Sequence, residues 1–178
     1  MTNAQPRVAW ALEYAARGWA VFPLYTIRDG HCTCPGWKTG SPPGKRPVTG
    51  HGVRDASTDA SQIRAWWKAS PSANIAIATG RTSGLVVVDA DVHTGGMDKL
   101  GNFALPETGK VRTGSGGLHL YYTCEWTTKG QENLTVGIHA KGDGGYVVVP
   151  PSIHVKGVYE WLNPEAKLAE VPAWLLNW

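Results

Sequence analysis

Cysteine is scarce in this chain. Cys32, Cys34 and Cys124 are the three among 178 residues, too few for a disulfide framework and in keeping with a reducing compartment. No apolar run reaches the roughly 20 residues that span a bilayer. Met1 is followed by the polar segment Thr2 to Arg7, which has the form of neither a signal peptide nor a lipidation site, so the expected location is the cytoplasm. Positive charge is also modest. A net charge of +3 is low for a free-standing nucleic-acid-binding domain, whose affinity comes largely from neutralising phosphates. Either the basic residues gather on one face or other modules hold such a partner. No internal repeat is present. With 42% hydrophobic and 17% charged residues the composition is that of a folded chain, not a disordered one. The length suits one domain, 1–178, with one core. The apolar ending, Pro172 to Leu176, suits either a piece of a longer protein or a docked C-terminal helix.

The hydrophobic pattern predicts a helix over Val8 to Arg17, with Val8, Leu12 and Ala15 near one face and Gly18 as its stop. A strand over Trp19 to Leu24 follows. Residues 28–55 are rich in Gly, Pro, Cys and Lys and read as a long irregular segment, a length that is usually functional or disordered. Thr58 is the expected N-cap of a second helix carrying Ile63, Trp66 and Trp67 on one face and ended by Pro71. Expected strands are Asn74 to Ala78, Leu85 to Asp89, Val111 to Thr113, Leu118 to Cys124, Thr135 to Ala140, Tyr146 to Val149 and Tyr159 to Leu162, with a short glycine-interrupted helix between Gly96 and Phe103. Two early helices followed by many strands at hairpin-like spacing predict an α+β fold with a largely antiparallel sheet.

Three segments carry chemistry. In Leu85-Val86-Val87-Val88-Asp89-Ala90-Asp91 an apolar strand delivers two carboxylates at i and i+2. Alternate side chains share a face, so Asp89 and Asp91 stand about 6.6 to 7 Å apart along the strand. That spacing lets them bridge a metal pair roughly 3.5 to 4 Å apart, the arrangement used in phosphoryl transfer; the alternative is a strand end with solvated acids. In Arg112-Thr113-Gly114-Ser115-Gly116-Gly117-Leu118-His119 the glycines could expose successive N–H groups to an anion, with His119 able to reach the same phosphates. The alternative is a tight hairpin turn with a core histidine. In Lys141-Gly142-Asp143-Gly144-Gly145-Tyr146-Val147-Val148-Val149-Pro150-Pro151-Ser152 a glycine-rich turn feeds a buried strand stopped by two prolines.

In this order, the strand-borne Asp-x-Asp, the Ser-Gly-Gly-x-His and the Gly-Asp-Gly-Gly-Tyr-Val-Val-x-Pro-Pro-Ser segments resemble the bifunctional primase-polymerases of the archaeo-eukaryotic primase superfamily, which accompany phage and plasmid replication. Flanking matches are Ala15 to Leu24, Gly44-Lys45-Arg46-Pro47, Trp66-Trp67 and Ala73 to Gly80. The resemblance runs from about Ala11 to Leu175.

The resemblance implies an RRM-like, mostly antiparallel catalytic sheet packed against an N-terminal α/β unit, and a primase-polymerase catalytic domain forming the N-terminal part of a replication protein in a prokaryotic host cell. It implies template-directed joining of nucleoside triphosphates on single-stranded DNA and a primer, with a helicase domain or subunit as a further partner. On this analogy Asp89 and Asp91 hold Mg²⁺ or Mn²⁺, His119 contacts the incoming triphosphate, and Gly116 and Gly117 give its phosphates close backbone approach. Arg112, Ser115, Lys141 and Lys45 are further phosphate candidates. Lys45 could serve nucleotide or template, or be a solvated loop lysine.

Two departures stand out. The family's third carboxylate, four residues before Asp143, is replaced by His139. Asp143 could compensate, although an acid in a turn more often bonds locally. In the first loop His31, Cys32, Cys34 and His51 could make a Zn²⁺ site, with ordinary loop residues as the alternative. The leading expectation is an active nucleotidyl transferase. The competing ones are a catalytically weak nucleotide- or nucleic-acid-binding module and an unrelated metal-dependent phosphohydrolase built on Asp89, Asp91 and His93.

Overall fold

The computed structural model describes residues 5–36, 42–125 and 130–176. Helix α1 (Arg7–Ala16) leads into β1 (Val21–Leu24). A small hairpin of β2 (Ile27–Arg28) and β3 (His31–Cys32) and a 3₁₀ turn (Gly52–Asp55) precede α2 (Ala60–Ala69). Then come β4 (Asn74–Ala78), β5 (Leu85–Ala90), the single turn α3 (Gly96–Lys99), β6 (Gly109–Arg112), β7 (Leu118–Thr123), β8 (Gln131–Thr135), β9 (Ile138–Lys141) and β10 (Tyr146–Val149). The short elements β11 (Ile153–His154), β12 (Gly157–Val158), β13 (Glu160–Trp161), β14 (Ala169–Glu170) and α4 (Ala173–Leu176) finish the described chain. The strands form two principal sheets, one ordered β1-β4-β10 and one ordered β13-β6-β7-β5-β9-β8. Every strand pairing is antiparallel except that of β14, which lies parallel to β7. This is the α+β, largely antiparallel architecture that the pattern predicts. Among the described residues no helix is long and apolar enough to cross a membrane.

The apolar, β-branched runs are explained by what covers them. A strand with both faces covered has no need of alternation, and β4 is buried at all five positions. On β5 the alternate residues go to different cores. Leu85 and Val87 join α1, α2 and the small sheet in one cluster, whereas Val86, Val88 and Ala90 join Leu120, Ile138, Val171 and Leu175 on the opposite face. Asp89 therefore continues the face that looks toward the small sheet. An aromatic cluster ties α1 to the large sheet there: the Trp19 ring stacks on Tyr14 and on Tyr121, with centroids 5.9 and 6.2 Å away. Trp161 Nε1 donates to the Tyr14 hydroxyl at 2.9 Å, and that hydroxyl donates to Pro150 O at 2.8 Å.

Four local expectations need correction. The buried stripe of α1 is Trp10, Ala11 and Tyr14; Val8, Leu12 and Ala15 lie half-buried at its margins, because the large rings take the central contacts. Helix α2 is capped by Asp59, not Thr58: Asp59 Oδ1 accepts from Gln62 N–H at 2.8 Å. The predicted strand Thr135 to Ala140 is instead the meeting of β8 and β9. Thr135 pairs with Ile138, and Gly137, at φ +88°, makes the turn in a backbone region that glycine enters without steric cost. The irregular stretch 28–55 contains β3 and the 3₁₀ turn, and its residues 37–41 lie outside the described residues.

Candidate active site

Strand register builds the site. Asp89 on β5 stands directly opposite His119 on β7 and His139 on β9. Directly opposed residues in an antiparallel pair project on one face, so His119, Asp89 and His139 form a row across the sheet. One pleat further along that face, Val87 pairs with Tyr121 and with Lys141. The face opens into a cleft of ≈ 310 Å³ whose walls include Asp89, His119 and Lys141 from the large sheet, Tyr146 to Val148 from β10, Tyr159, and Lys45 from the loop after β3.

His119 is buried, at 5% exposure. Its Nε2 lies 3.5 Å from Asp89 Oδ1, and its Nδ1 has no partner among the described residues. Burial pushes its pKa down. The Asp89 charge opposes that shift, and Lys45 and Lys141 add to it, so the ring faces the cleft neutral at pH 7. Burial likewise lowers the pKa of the half-buried Lys141 ammonium against the pull of Asp89. Lys45 is exposed, and its backbone is held where the Tyr146 hydroxyl donates to its carbonyl at 2.9 Å. Behind it, buried Asn74 donates from Nδ2 to Gly44 O and Ile153 O at 3.0 and 2.8 Å and accepts on Oδ1 from Ile153 N–H at 3.0 Å. One amide thus ties the lysine loop, the small sheet and the segment after β10 together.

Asp91 lies just past β5, and its N–H still donates to Gly137 O at 2.8 Å, which continues the register with β9. Its Oδ1 accepts from His93 N–H at 2.8 Å. Asp89 and Asp91 therefore occupy alternate positions of one face. His139 Nδ1 is bonded to Asn133 Oδ1 at 2.6 Å. Among the described residues no three His, Cys, Asp or Glu side chains surround a common point. Two carboxylates suffice for one kind of site, however: Mg²⁺ is usually held by one or two carboxylates, with waters and substrate phosphates completing its shell. The donor set present fits that use.

The remaining candidates are placed differently. Arg112 sits opposite Leu118, on the other pleat from His119, and its Nη2 donates to Glu160 Oε2 at 2.6 Å. The glycine-rich turn 113–117 is closed by Thr113 N–H to Gly117 O and Gly116 N–H to Thr113 O, both 2.9 Å. Ser115 Oγ lies 3.2 Å from Thr113 Oγ1. A Cβ on Gly117 would come within 2.4 Å of Ala90 O, and one on Gly114 within 2.5 Å of His154 Cβ; both glycines permit close packing of backbones. Gly116 is exposed. Asp143 lines the cleft, but its two carboxylate oxygens accept from Arg81 N–H and Nε at 2.7 and 3.0 Å.

In the first loop, Cys32 and Cys34 are buried together, with Cys34 N–H donating to Cys32 Sγ at 3.4 Å. Burial, then the neighbouring Cys32, raises the Cys34 thiol pKa. His51 instead pairs with Asp55 at 3.0 Å, and His31 is exposed. Tyr159, which walls the cleft together with the motif residue Tyr146, carries no local mark in the sequence; the fold alone brings it there.

No curated protein sequence matches the chain. The model of the N-terminal domain of bifunctional DNA primase/polymerases matches residues 11–174, nearly the whole length, and the chain belongs to that family.

Proposed function

We propose that the cleft performs template-directed nucleotidyl transfer, in which a primer 3′-hydroxyl attacks the α-phosphate of a nucleoside triphosphate and pyrophosphate leaves. The observation that carries this reading is that Asp89 and His119, directly opposed across the sheet, share one cleft with Lys141 one pleat away and with Lys45. Asp89 and Asp91 are the residues that would hold a divalent cation, Mg²⁺ or Mn²⁺. When bound, that cation supplies charge neutralisation at the phosphates and activation of the hydroxyl. Lys141 and Lys45 receive the charge of the outer phosphates, while neutral His119 offers a hydrogen bond through Nε2 without adding a buried charge. The tyrosine and valine wall from β10 excludes water from one side of the nucleotide.

A second reading is a nucleotide- or nucleic-acid-binding module with weak catalysis. It is favoured by His139 in place of a third carboxylate and by the engagement of Asp143 with Arg81. Primer extension on a single-stranded template, run with ribo- and deoxynucleotides, decides between them. The expected result is extension by the wild type and less than a tenth of it by Asp89→Asn, with both proteins folded. Equal extension by the two removes Asp89 from the chemistry, and no extension by either favours the binding module.

A further inference from the structure

One residue of the cleft has no part in the reaction above. Tyr159 stands between β12 and β13, and strand register sets its place. Trp161 pairs with Val111, Val111 with His119 and His119 with Asp89, so these four make one row on the cleft face of the sheet. Tyr159 lies two residues before Trp161 and therefore on the same face. In the next row Glu160 opposes Arg112, Arg112 opposes Leu118 and Leu118 opposes Ala90. One step further, the same ladder aligns Tyr159 with Thr113, Gly117 and Asp91, and the bond from Thr113 N–H to Gly117 O continues it. Tyr159 thus lines the cleft with Asp89 and His119.

The ring is held firmly, but the hydroxyl is not engaged. Tyr159 is 4% exposed. Its N–H donates to Ser152 O at 2.9 Å, its ring packs on His119 with centroids 6.0 Å apart, and Trp10, Pro150, Pro151 and Trp161 lie on its other side. Among the described residues its hydroxyl has no hydrogen-bond partner. The Tyr121 hydroxyl also lacks a partner, but it is sealed in the core, whereas Tyr159 borders the open cleft. Burial, then the Asp89 charge, raises the Tyr159 pKa, so the phenol keeps its proton and is a donor at neutral pH. A nearly buried hydroxyl without a partner costs free energy, and an acceptor brought by a ligand offsets that cost.

We propose that the Tyr159 hydroxyl donates a hydrogen bond to a phosphate oxygen of the nucleoside triphosphate, beside Asp89. The inference rests on the nucleotidyl-transfer reading and adds a substrate-binding residue to it. A phosphate oxygen is favoured over a sugar hydroxyl because it is charged and only accepts, which gives the stronger bond to a donor. It also belongs next to the carboxylate that would hold the cation. Unlike a third lysine, a phenol fixes the direction of the phosphate without adding charge beside the buried, neutral His119.

The test uses Tyr159→Phe, which removes the hydroxyl and keeps the ring. Because that hydroxyl has no protein partner, the denaturation midpoint is expected to hold or rise. Binding is measured calorimetrically with Mg²⁺ and two probes, inorganic tripolyphosphate and a non-hydrolysable nucleoside triphosphate. Affinity for both is expected to fall roughly tenfold, the size of one hydrogen bond to a charged group, and kcat/KM in primer extension by a like factor. Unchanged affinity for both probes overturns the proposal. So does a loss for the nucleotide alone, since the hydroxyl then serves sugar or base. So does a fall in stability that accompanies the weaker binding, since the hydroxyl is then a structural group. A wild type that binds neither probe sinks the contact and the catalytic reading together. If the wild type binds both probes but extends no primer, and Tyr159→Phe still binds them more weakly, the catalytic reading fails and the phosphate contact stands.

Discussion

At the scale of single residues, His139 carries the sharpest question. It faces Asp89 across the ladder, and its Nδ1 is held by Asn133. Mg²⁺ prefers oxygen ligands, whereas imidazole is better accepted by Mn²⁺ or Co²⁺. The expected outcome is activity that depends more on Mn²⁺ than on Mg²⁺, and a shift toward Mg²⁺ in His139→Asp. Extension rates titrated with each metal check this; identical preference and affinity in the two proteins show that His139 plays no part in holding the cation. His119 is a different case, because it is both buried and in the cleft. A hydrogen bond to a charged group contributes about 1.5 to 3 kcal/mol, so His119→Ala is expected to raise the KM for the triphosphate ten- to hundredfold. An unchanged KM in protein shown to be folded takes His119 out of the site.

At the scale of elements, the turn between β6 and β7 tests packing against chemistry. Gly117 lies where Ala90 O approaches a would-be Cβ to 2.4 Å. Gly117→Ala must push β5 and β7 apart, and overpacking of this kind costs about 1 to 3 kcal/mol, read as a lowered denaturation midpoint. A variant as stable as wild type shows the strands to be less constrained than their register implies. The same turn shows how far local sequence reaches. Strands β4, β5, β7 and β10 were legible because short runs rich in β-branched and aromatic residues, bounded by turn signals, have no helical period. Asp89 and His119 were legible because they sit on β5 and β7 at fixed offsets from glycine turns, and Lys141 because it adjoins the glycine turn before β10. What was not legible depends on distant partners. Nothing local separates the members of the two sheets, since β1, β4 and β5 are all apolar runs. Nothing local turns Arg112 away from His119, a one-residue difference in pleat that register alone decides. The short β14 and α4 carry too few residues for any periodicity, and Thr58 lost the cap to Asp59 although both residue types cap well.

At the scale of the whole molecule, Asn74 connects more than any catalytic candidate does. Its amide bonds to Gly44 and Ile153, and its Oδ1 also accepts from Thr26 Oγ1 at 3.2 Å. Removing a buried amide leaves several backbone groups without partners, each costing about 1 to 3 kcal/mol. Asn74→Ala is therefore expected to lower stability by roughly 2 to 4 kcal/mol and to raise the KM for the triphosphate by loosening the Lys45 loop. Denaturant titration with parallel kinetics reads both. A loss of stability with an unchanged KM separates the clamp from the site.

The order of strands in the larger sheet also governs how the chain is made. Strand β5 lies between β7 and β9, and both are synthesised after it. β4 waits likewise for β10. The back of β5, with Val86, Val88 and Ala90, is closed only when Val171 and Leu175 arrive. On the ribosome this apolar segment therefore emerges with neither edge paired; one edge waits some thirty further residues for β7 and the other some fifty for β9. Folding cannot proceed strand by strand from the N-terminus. The nascent chain must be kept from self-association through that interval, and the carboxylates, the histidines and the sheet that aligns them come into being together in one late, cooperative closure.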